Sequence, residues 1–197
     1  MYKRQGPLGP ANLVVAGAWF LTREAELSGA SARHVVISPG SDGTRPSVSW
    51  TLPSSKTDSA ALGVARSHGC CRPDVSCPTL HFPVHALWDQ LWLLRARFPE
   101  KWDGDRPLAS LPLFPVIDGS ACGKDGVVET LKAAAQALEV PLSNGDGSER
   151  ISGHSLRTTG AQGLARLGLE LWAIQLLGRW GSDTTSWAEK AMCNLPN

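Results

Sequence analysis

Apolar residues recur at helical spacing in several stretches of the chain. The first stretch is 12–30, where Leu13, Phe20 and Leu27 fall on one helical face and Asn12 is a suitable N-cap. Comparable patterns predict further helices over 86–98, 126–138, 155–167, 171–177 and 183–192. The chain is therefore expected to be mainly helical.

Three shorter runs have the character of β-strands. Residues 35–37 and 48–52 flank a turn that contains proline and glycine, which predicts an antiparallel hairpin. A third strand is expected near 61–65, after a polar turn at 53–58 that carries Lys56 at its tip. The predicted fold class is α+β, mainly α, with a small three-stranded antiparallel sheet.

The length of 197 residues suits one domain with a substantial core. We expect this domain to span 12–192, between a disordered N-terminal segment at 1–11 and a tail at 193–197. No apolar run reaches the roughly 18 residues of a membrane-spanning helix, and the first residues lack the apolar region of a secretion signal. These features favour an intracellular protein without a membrane partner, nuclear if the source is eukaryotic.

The overall charge is close to balanced. The chain has 19 Lys and Arg against 18 Asp and Glu, a formal net charge of +1. A protein that grips a phosphate backbone usually has a basic surplus. Any nucleic-acid interface must therefore come from local clustering of arginine and lysine.

The segment 152–180 carries the most informative pattern. His154 and Arg157 are three positions apart at the start of a predicted helix, so we expect them to share a face. The first turn of a helix also presents unpaired N–H groups and a positive dipole end. A small-residue helix follows and leads to Leu-Gly-Arg-Trp at 177–180. Together these features favour a phosphate-binding site.

In order and spacing, this string resembles the second and third sequence boxes of the tyrosine recombinases, the phage-integrase family. The family's first arginine lies in a helix within a Leu-Arg-x-x-Glu-Leu context, which Arg23 matches with Glu26 beside it. The family also places a lysine in the turn between its second and third strands, where Lys56 stands. The resemblance covers about 13–191. It implies the family's helical catalytic domain, without the core-binding domain that precedes it in relatives.

The resemblance also implies roles for these residues. Arg23 and Arg157 would bind the scissile phosphate. Lys56 would contact the DNA phosphate and act as general acid on the leaving 5′ oxygen. His154 would assist proton transfer, and Trp180 would support the site. The implied partner is DNA, in recombination or integration, with further protomers of this chain or other recombinases bound to it; no cofactor is implied.

The sequence departs from the family at the nucleophile. In relatives a tyrosine eight or nine positions after the third-box residue attacks the phosphate, and from Trp180 these positions hold Ala188 and Glu189. With a one-residue deletion Trp187 takes the place of the tyrosine, but its ring has no ionisable hydroxyl. The only tyrosine is Tyr2, whose terminal position makes it a poor candidate for donation to another protomer. We therefore expect a pseudoenzyme that binds DNA and does not cleave it.

Two alternatives stay open. One is a non-catalytic DNA-binding remnant, and the other is a zinc-stabilised interaction domain with no DNA role. The second depends on possible thiolate and imidazole ligands, although two adjacent cysteines are poor ligand spacing. These ligands would be Cys70, Cys71, Cys77 and His81, with His85 nearby. Arg23, Lys56 and Trp180 also have ordinary readings, as surface cations and a core aromatic.

Overall fold

A computed structural model describes residues 6–40, 45–52, 63–70 and 82–180. Two helices, three strands, one helix, two strands and three helices follow one another along these residues. The helices are α1 (Pro10–Trp19), α2 (Glu24–Ser28), α3 (Pro83–Arg97), α4 (Lys124–Ala137), α5 (Ser155–Arg166) and α6 (Leu171–Gly178). The strands are β1 (Val35–Ser38), β2 (Ser47–Leu52), β3 (Val64–Gly69), β4 (Trp102–Asp103) and β5 (Arg106–Pro107). The predicted class, α+β and mainly helical with a small three-stranded antiparallel sheet, is confirmed.

The prediction of one continuous helix over 12–30 is wrong, because the chain breaks into α1 and α2. Leu21 has a left-handed φ of 51° at the break. Thr22 stabilises the turn, since both its backbone N–H and its hydroxyl donate to the carbonyl of Gly17. As a result Arg23 does not end the first helix, as the sequence suggested, but stands at the N-cap of the second.

Strands β1, β2 and β3 form one antiparallel sheet in that order. Trp50 lies at the centre, opposite Val35 on one side and Arg66 on the other. The third strand is Val64–Gly69 and not 61–65, because all six of its residues pair with β2. Since directly opposite residues share a face of a sheet, Arg66 lies on the same face as the buried Trp50.

The remaining predicted helices are found close to their expected positions. Helix α3 begins three residues earlier than predicted because Pro83 occupies its first turn, where a missing N–H does no harm. Helices α4, α5 and α6 agree with the predictions to within two residues, and the helix expected over 183–192 lies outside the described residues. Within the part of the chain that the structure describes, no helix is long and apolar enough to cross a bilayer.

Apolar side chains collect in two clusters of very different size. The main core fills the space between α1, α3 and the sheet, where Phe20 packs edge-to-face on Trp50 with ring centroids 5.1 Å apart. The smaller cluster lies between α5 and α6 and consists of Leu21, Ala161, Leu164 and Ile174. Arg157, singled out for phosphate binding, bonds to the carbonyl of Leu21 in this smaller cluster.

Helix α5 packs directly on α1 through a glycine. A Cβ added at Gly160 would lie closer to the carbonyl oxygen of Ala18 than any real contact allows. The absence of a side chain there lets the two helix backbones approach each other. This contact sets the position of the N-terminal half of α5, which carries Arg157.

Candidate functional site

Glu26 is the centre of a cluster of arginines. Its side chain is 6% exposed and accepts three hydrogen bonds. Oε2 accepts from the backbone N–H of Arg23 at 2.7 Å and from Nη2 of Arg157 at 2.8 Å, and Oε1 accepts from Nη2 of Arg179. One buried carboxylate thus joins α2, α5 and the end of α6, which are far apart in sequence.

Arg157 is held at two points of its guanidinium. Nε donates to the carbonyl of Leu21 at 2.7 Å while Nη2 donates to Glu26. The left-handed turn at Leu21 presents that carbonyl, so the break between α1 and α2 serves the site directly. Burial lowers the pKa of Arg157 to about 10; the charge of Glu26 opposes this shift, while Arg23 and Arg179 add to it. Arg157 therefore remains a cation at neutral pH, in a fixed orientation.

Arg179 follows α6 in a left-handed conformation with a φ of 56°. This turn directs its guanidinium to Glu26, and its side chain is 9% exposed. The next residue, Trp180, packs on the smaller cluster with its ring beside Gly178. The backbone N–H of Trp180 donates to the carbonyl of Gln175 at 3.0 Å. Within the predicted Leu-Gly-Arg-Trp string, the arginine enters the charged cluster and the tryptophan supports the helix end.

Arg23 occupies the N-cap of α2 with a partly buried side chain. Its Nε is buried and has no hydrogen-bond partner among the described residues. Its charge lies close enough to Arg157 to lower the pKa of that guanidinium. A buried donor of this kind is normally satisfied by a partner, and an oxygen of a bound anion is one such partner.

A fourth arginine reaches the cluster from the sheet. Nη2 of Arg66 donates to the carbonyl of Leu176, in the last turn of α6, at 2.8 Å. Burial lowers the pKa of Arg66, and the neighbouring charge of Arg179 lowers it further. Sequence reasoning missed Arg66, because a single arginine in a strand has no local signature. The available signal was the alternation of inward and outward side chains along β3, which places Arg66 on the inward face.

His154 is exposed at the N-cap of α5, whereas Arg157 is buried. The two side chains differ in environment, since the Arg157 side chain turns inward to Leu21 and Glu26. No hydrogen bond among the described residues joins the His154 imidazole to an arginine. The residue before it, Gly153, keeps His154 near the cluster. The carbonyl of Gly153 accepts a hydrogen bond from the backbone N–H of Glu24 in α2 at 3.1 Å.

The cluster has a positive surplus. The region contains Arg23, Arg66, Arg157 and Arg179 together with Glu24 and Glu26 of α2, which leaves a formal surplus of two positive charges. The Glu24 side chain packs against Gly153, at the edge of the cluster. The N-terminus of the twelve-residue α5 adds its positive dipole end nearby. This arrangement favours binding of an oxyanion such as phosphate.

The other predicted site residues fall partly outside the structure. Lys56, Trp187, Cys71, Cys77 and His81 are not among the described residues. Cys70 is described and buried, with its Sγ 3.3 Å from Nε2 of His85. Over residues 6–40, 45–52, 63–70 and 82–180, no three metal-ligating side chains come together. The zinc hypothesis thus stays a prediction.

No protein-family model and no curated protein sequence matches the chain. The geometry of the arginine cluster and the sequence resemblance are therefore the observations that bear on function.

Proposed function

We propose that this chain is a DNA-binding domain of the tyrosine-recombinase type that binds a phosphodiester in its arginine cluster and does not cleave it. The observation that carries the proposal is the convergence of the Arg157 and Arg179 guanidiniums on Glu26, which also caps the backbone N–H of Arg23. The family resemblance was inferred from local strings at 22–27 and 152–180. Their meeting around one carboxylate supports the view that they belong to one site.

A phosphodiester suits the chemistry of the cluster. Arginine presents donors in a planar fork that matches two oxygens of a phosphate. Arg157 is fixed by Leu21 and Glu26 before any ligand arrives, so little side-chain entropy is lost on binding. The buried Nε of Arg23 offers a donor that the described residues leave unsatisfied.

The sequence supports binding without cleavage. Strand cleavage by this chemistry needs a hydroxyl that attacks phosphorus and forms a phosphotyrosine, and Trp187 and Ala188 have none. Lys56 and His154 then serve no leaving group. The arginines still neutralise the phosphate, so affinity for DNA is retained while the reaction is lost.

Binding is tested by the fluorescence anisotropy of a short labelled duplex of mixed sequence at several salt concentrations. We expect Arg23→Gln to weaken binding and to reduce the slope of log K against log [salt] by about 1, as for one lost phosphate contact. The matched control is Arg97→Gln, an exposed arginine in the last turn of α3. Binding that is absent in the wild type, or equally sensitive to both substitutions, would contradict the proposal.

The preserved geometry is tested by restoring the nucleophile. Trp187→Tyr and Ala188→Tyr are incubated with a nicked suicide duplex, and covalent protein–DNA adducts are sought by denaturing electrophoresis. We expect an adduct from one of the two variants and none from the wild type or from Trp187→Phe, which lacks the hydroxyl. No adduct from either folded variant would count against a recombinase-type phosphate site.

A further inference from the structure

Arg66 occupies a place where a charged side chain is unusual. It lies on edge strand β3, on the face that Trp50 and Val48 bury, and its neighbours on that face are Val64 and His68. Arg66 is partly buried there, and its bond to a partner lies at the protein surface. The partner that Arg66 has is a backbone group of a helix 110 residues away in sequence.

That partner is the carbonyl of Leu176, in the last turn of α6. The final carbonyls of a helix have no partner within the helix, and a cation near them also interacts favourably with the negative end of the dipole. The Leu176 carbonyl accepts Nη2 of Arg66 at 2.8 Å and also the backbone N–H of Arg179 at 3.3 Å. The Leu176 carbonyl oxygen therefore joins the Arg66 guanidinium to the backbone turn at Arg179. That turn directs the Arg179 side chain towards Glu26.

Helix α6 has few other attachments. Its buried residues are Ile174 and Gly178, while Trp172 and Leu176 are 67% and 62% exposed. A helix of eight residues held by so little apolar area depends strongly on its polar contacts. Within the described residues, the bond from Arg66 ties the C-terminal turn of α6 to the sheet.

We infer that Arg66 is a positioning residue of the arginine cluster: by bonding to the Leu176 carbonyl, it fixes the turn that delivers Arg179 to Glu26 and to the bound phosphodiester. The inference rests on the proposed function for the identity of the ligand. It acts through Arg179, so the two arginines should behave as one unit and not as two independent phosphate contacts.

A double-mutant cycle on the full chain tests this coupling. The variants are Arg66→Met, Arg179→Met and the double variant, measured by anisotropy on the same labelled duplex. We expect Arg66→Met to weaken binding by roughly tenfold, the scale of one charge-assisted hydrogen bond. The double variant should bind no more weakly than Arg179→Met alone. Additive losses would overturn the inference, because they would mean that Arg66 acts independently of Arg179.

Arg66→Lys separates positioning from a general loss of folding. Its ammonium retains the charge and one donor for the Leu176 carbonyl, so we expect affinity to return most of the way to the wild-type value. A Lys variant that binds as weakly as the Met variant, while folded, would contradict the proposed bond.

Amide hydrogen exchange supplies a readout without DNA. In Arg66→Met the amides of Arg179 and Trp180 should exchange faster by roughly tenfold, while amides of Leu87 and Leu94 in the main core change little. Arg97→Met is the control and should change neither pair. Unchanged exchange at Arg179 and Trp180 would overturn the inference. If the wild type does not bind DNA, the proposed function fails, and exchange alone decides the role of Arg66.

Discussion

The main core and the arginine cluster are held together by different forces. Around Trp50, side chains from α1, α3 and the sheet bury apolar area on all sides, and stability comes from that burial. At the arginine cluster, the smaller apolar cluster has only four buried residues, and charged hydrogen bonds to Glu26 join α5 and the end of α6 to α2. Apolar contacts tolerate small rotations, whereas forked hydrogen bonds depend on direction. The hydrogen bonds to Glu26 therefore fix the geometry of the arginine cluster, whereas apolar burial in the main core supplies most of the stability.

The largest expected effect is at Glu26, because its removal leaves buried guanidiniums without a counter-charge. We expect Glu26→Gln to lower the free energy of unfolding by about 3 kcal/mol, as for a broken buried ion pair. Chemical denaturation followed by circular dichroism measures the change. Glu149→Gln, which removes an exposed partner of Lys132, is the matched control and should leave stability unchanged within error. Equal losses in the free energy of unfolding would mean that the Glu26 ion pairs stabilise the fold no more than an exposed surface pair does.

A smaller effect is expected where the two regions meet. Gly160→Ala forces α5 away from the Ala18 carbonyl, so we expect a loss of about 2 kcal/mol, within the range for overpacked sites. Gly163, one turn further along α5, has open space where a Cβ would stand. Gly163→Ala should therefore stabilise the protein by about 0.8 kcal/mol through helix propensity alone. Thermal unfolding of both variants checks the contrast, and destabilisation by both would show that α5 is not seated as described.

The smallest effect concerns protonation within the main core. Burial lowers the pKa of His68, partly offset by a hydrogen bond with the backbone of Trp19, and its ring packs edge-on against Phe20 with centroids 4.7 Å apart. Because the folded state holds the proton less tightly than the unfolded state, His68 favours folding fully above about pH 6.5. This contribution is lost as the pH falls from there through the folded pKa.

The comparison that checks this uses urea unfolding between about pH 7 and pH 5. His68→Gln cannot titrate, so the gap in stability between wild type and variant should narrow as the pH falls. A gap that stays constant, or that widens in acid, would mean that the ring is not buried as a neutral group.

Sequence periodicity located most helices well but failed where long-range contacts decide the backbone. The apolar pattern runs unbroken through Phe20, Leu21 and Leu27, so nothing local marks the left-handed turn at Leu21. That turn is stabilised by the bond from Arg157, a residue 136 positions away. The third strand was placed too early because Arg66 and His68 put polar residues on its inner face.

The candidate site divides in the same way. Arg23, Glu26 and Arg157 were found because each stands in a string with a specific order and spacing. Arg66 and the contact of Arg179 with Glu26 were missed because their partners come from elements 110 and 153 residues distant. Sequence motifs indicate which residues are candidates for a site, whereas the tertiary structure is needed to show which acceptor each arginine contacts.

Under the proposed function, the position of Glu26 offers a structural reason for the motif's arginines to persist without catalysis. Arg157 and Arg179 both bond to the buried carboxylate of Glu26, so replacing either would remove a charged hydrogen bond that joins α5 or the end of α6 to α2. A lineage that lost its nucleophile would still be under selection to keep these arginines, simply in order to fold. In such a protein the arginine motif is kept for its structural role. Its presence alone is then no sign that the protein still cleaves DNA.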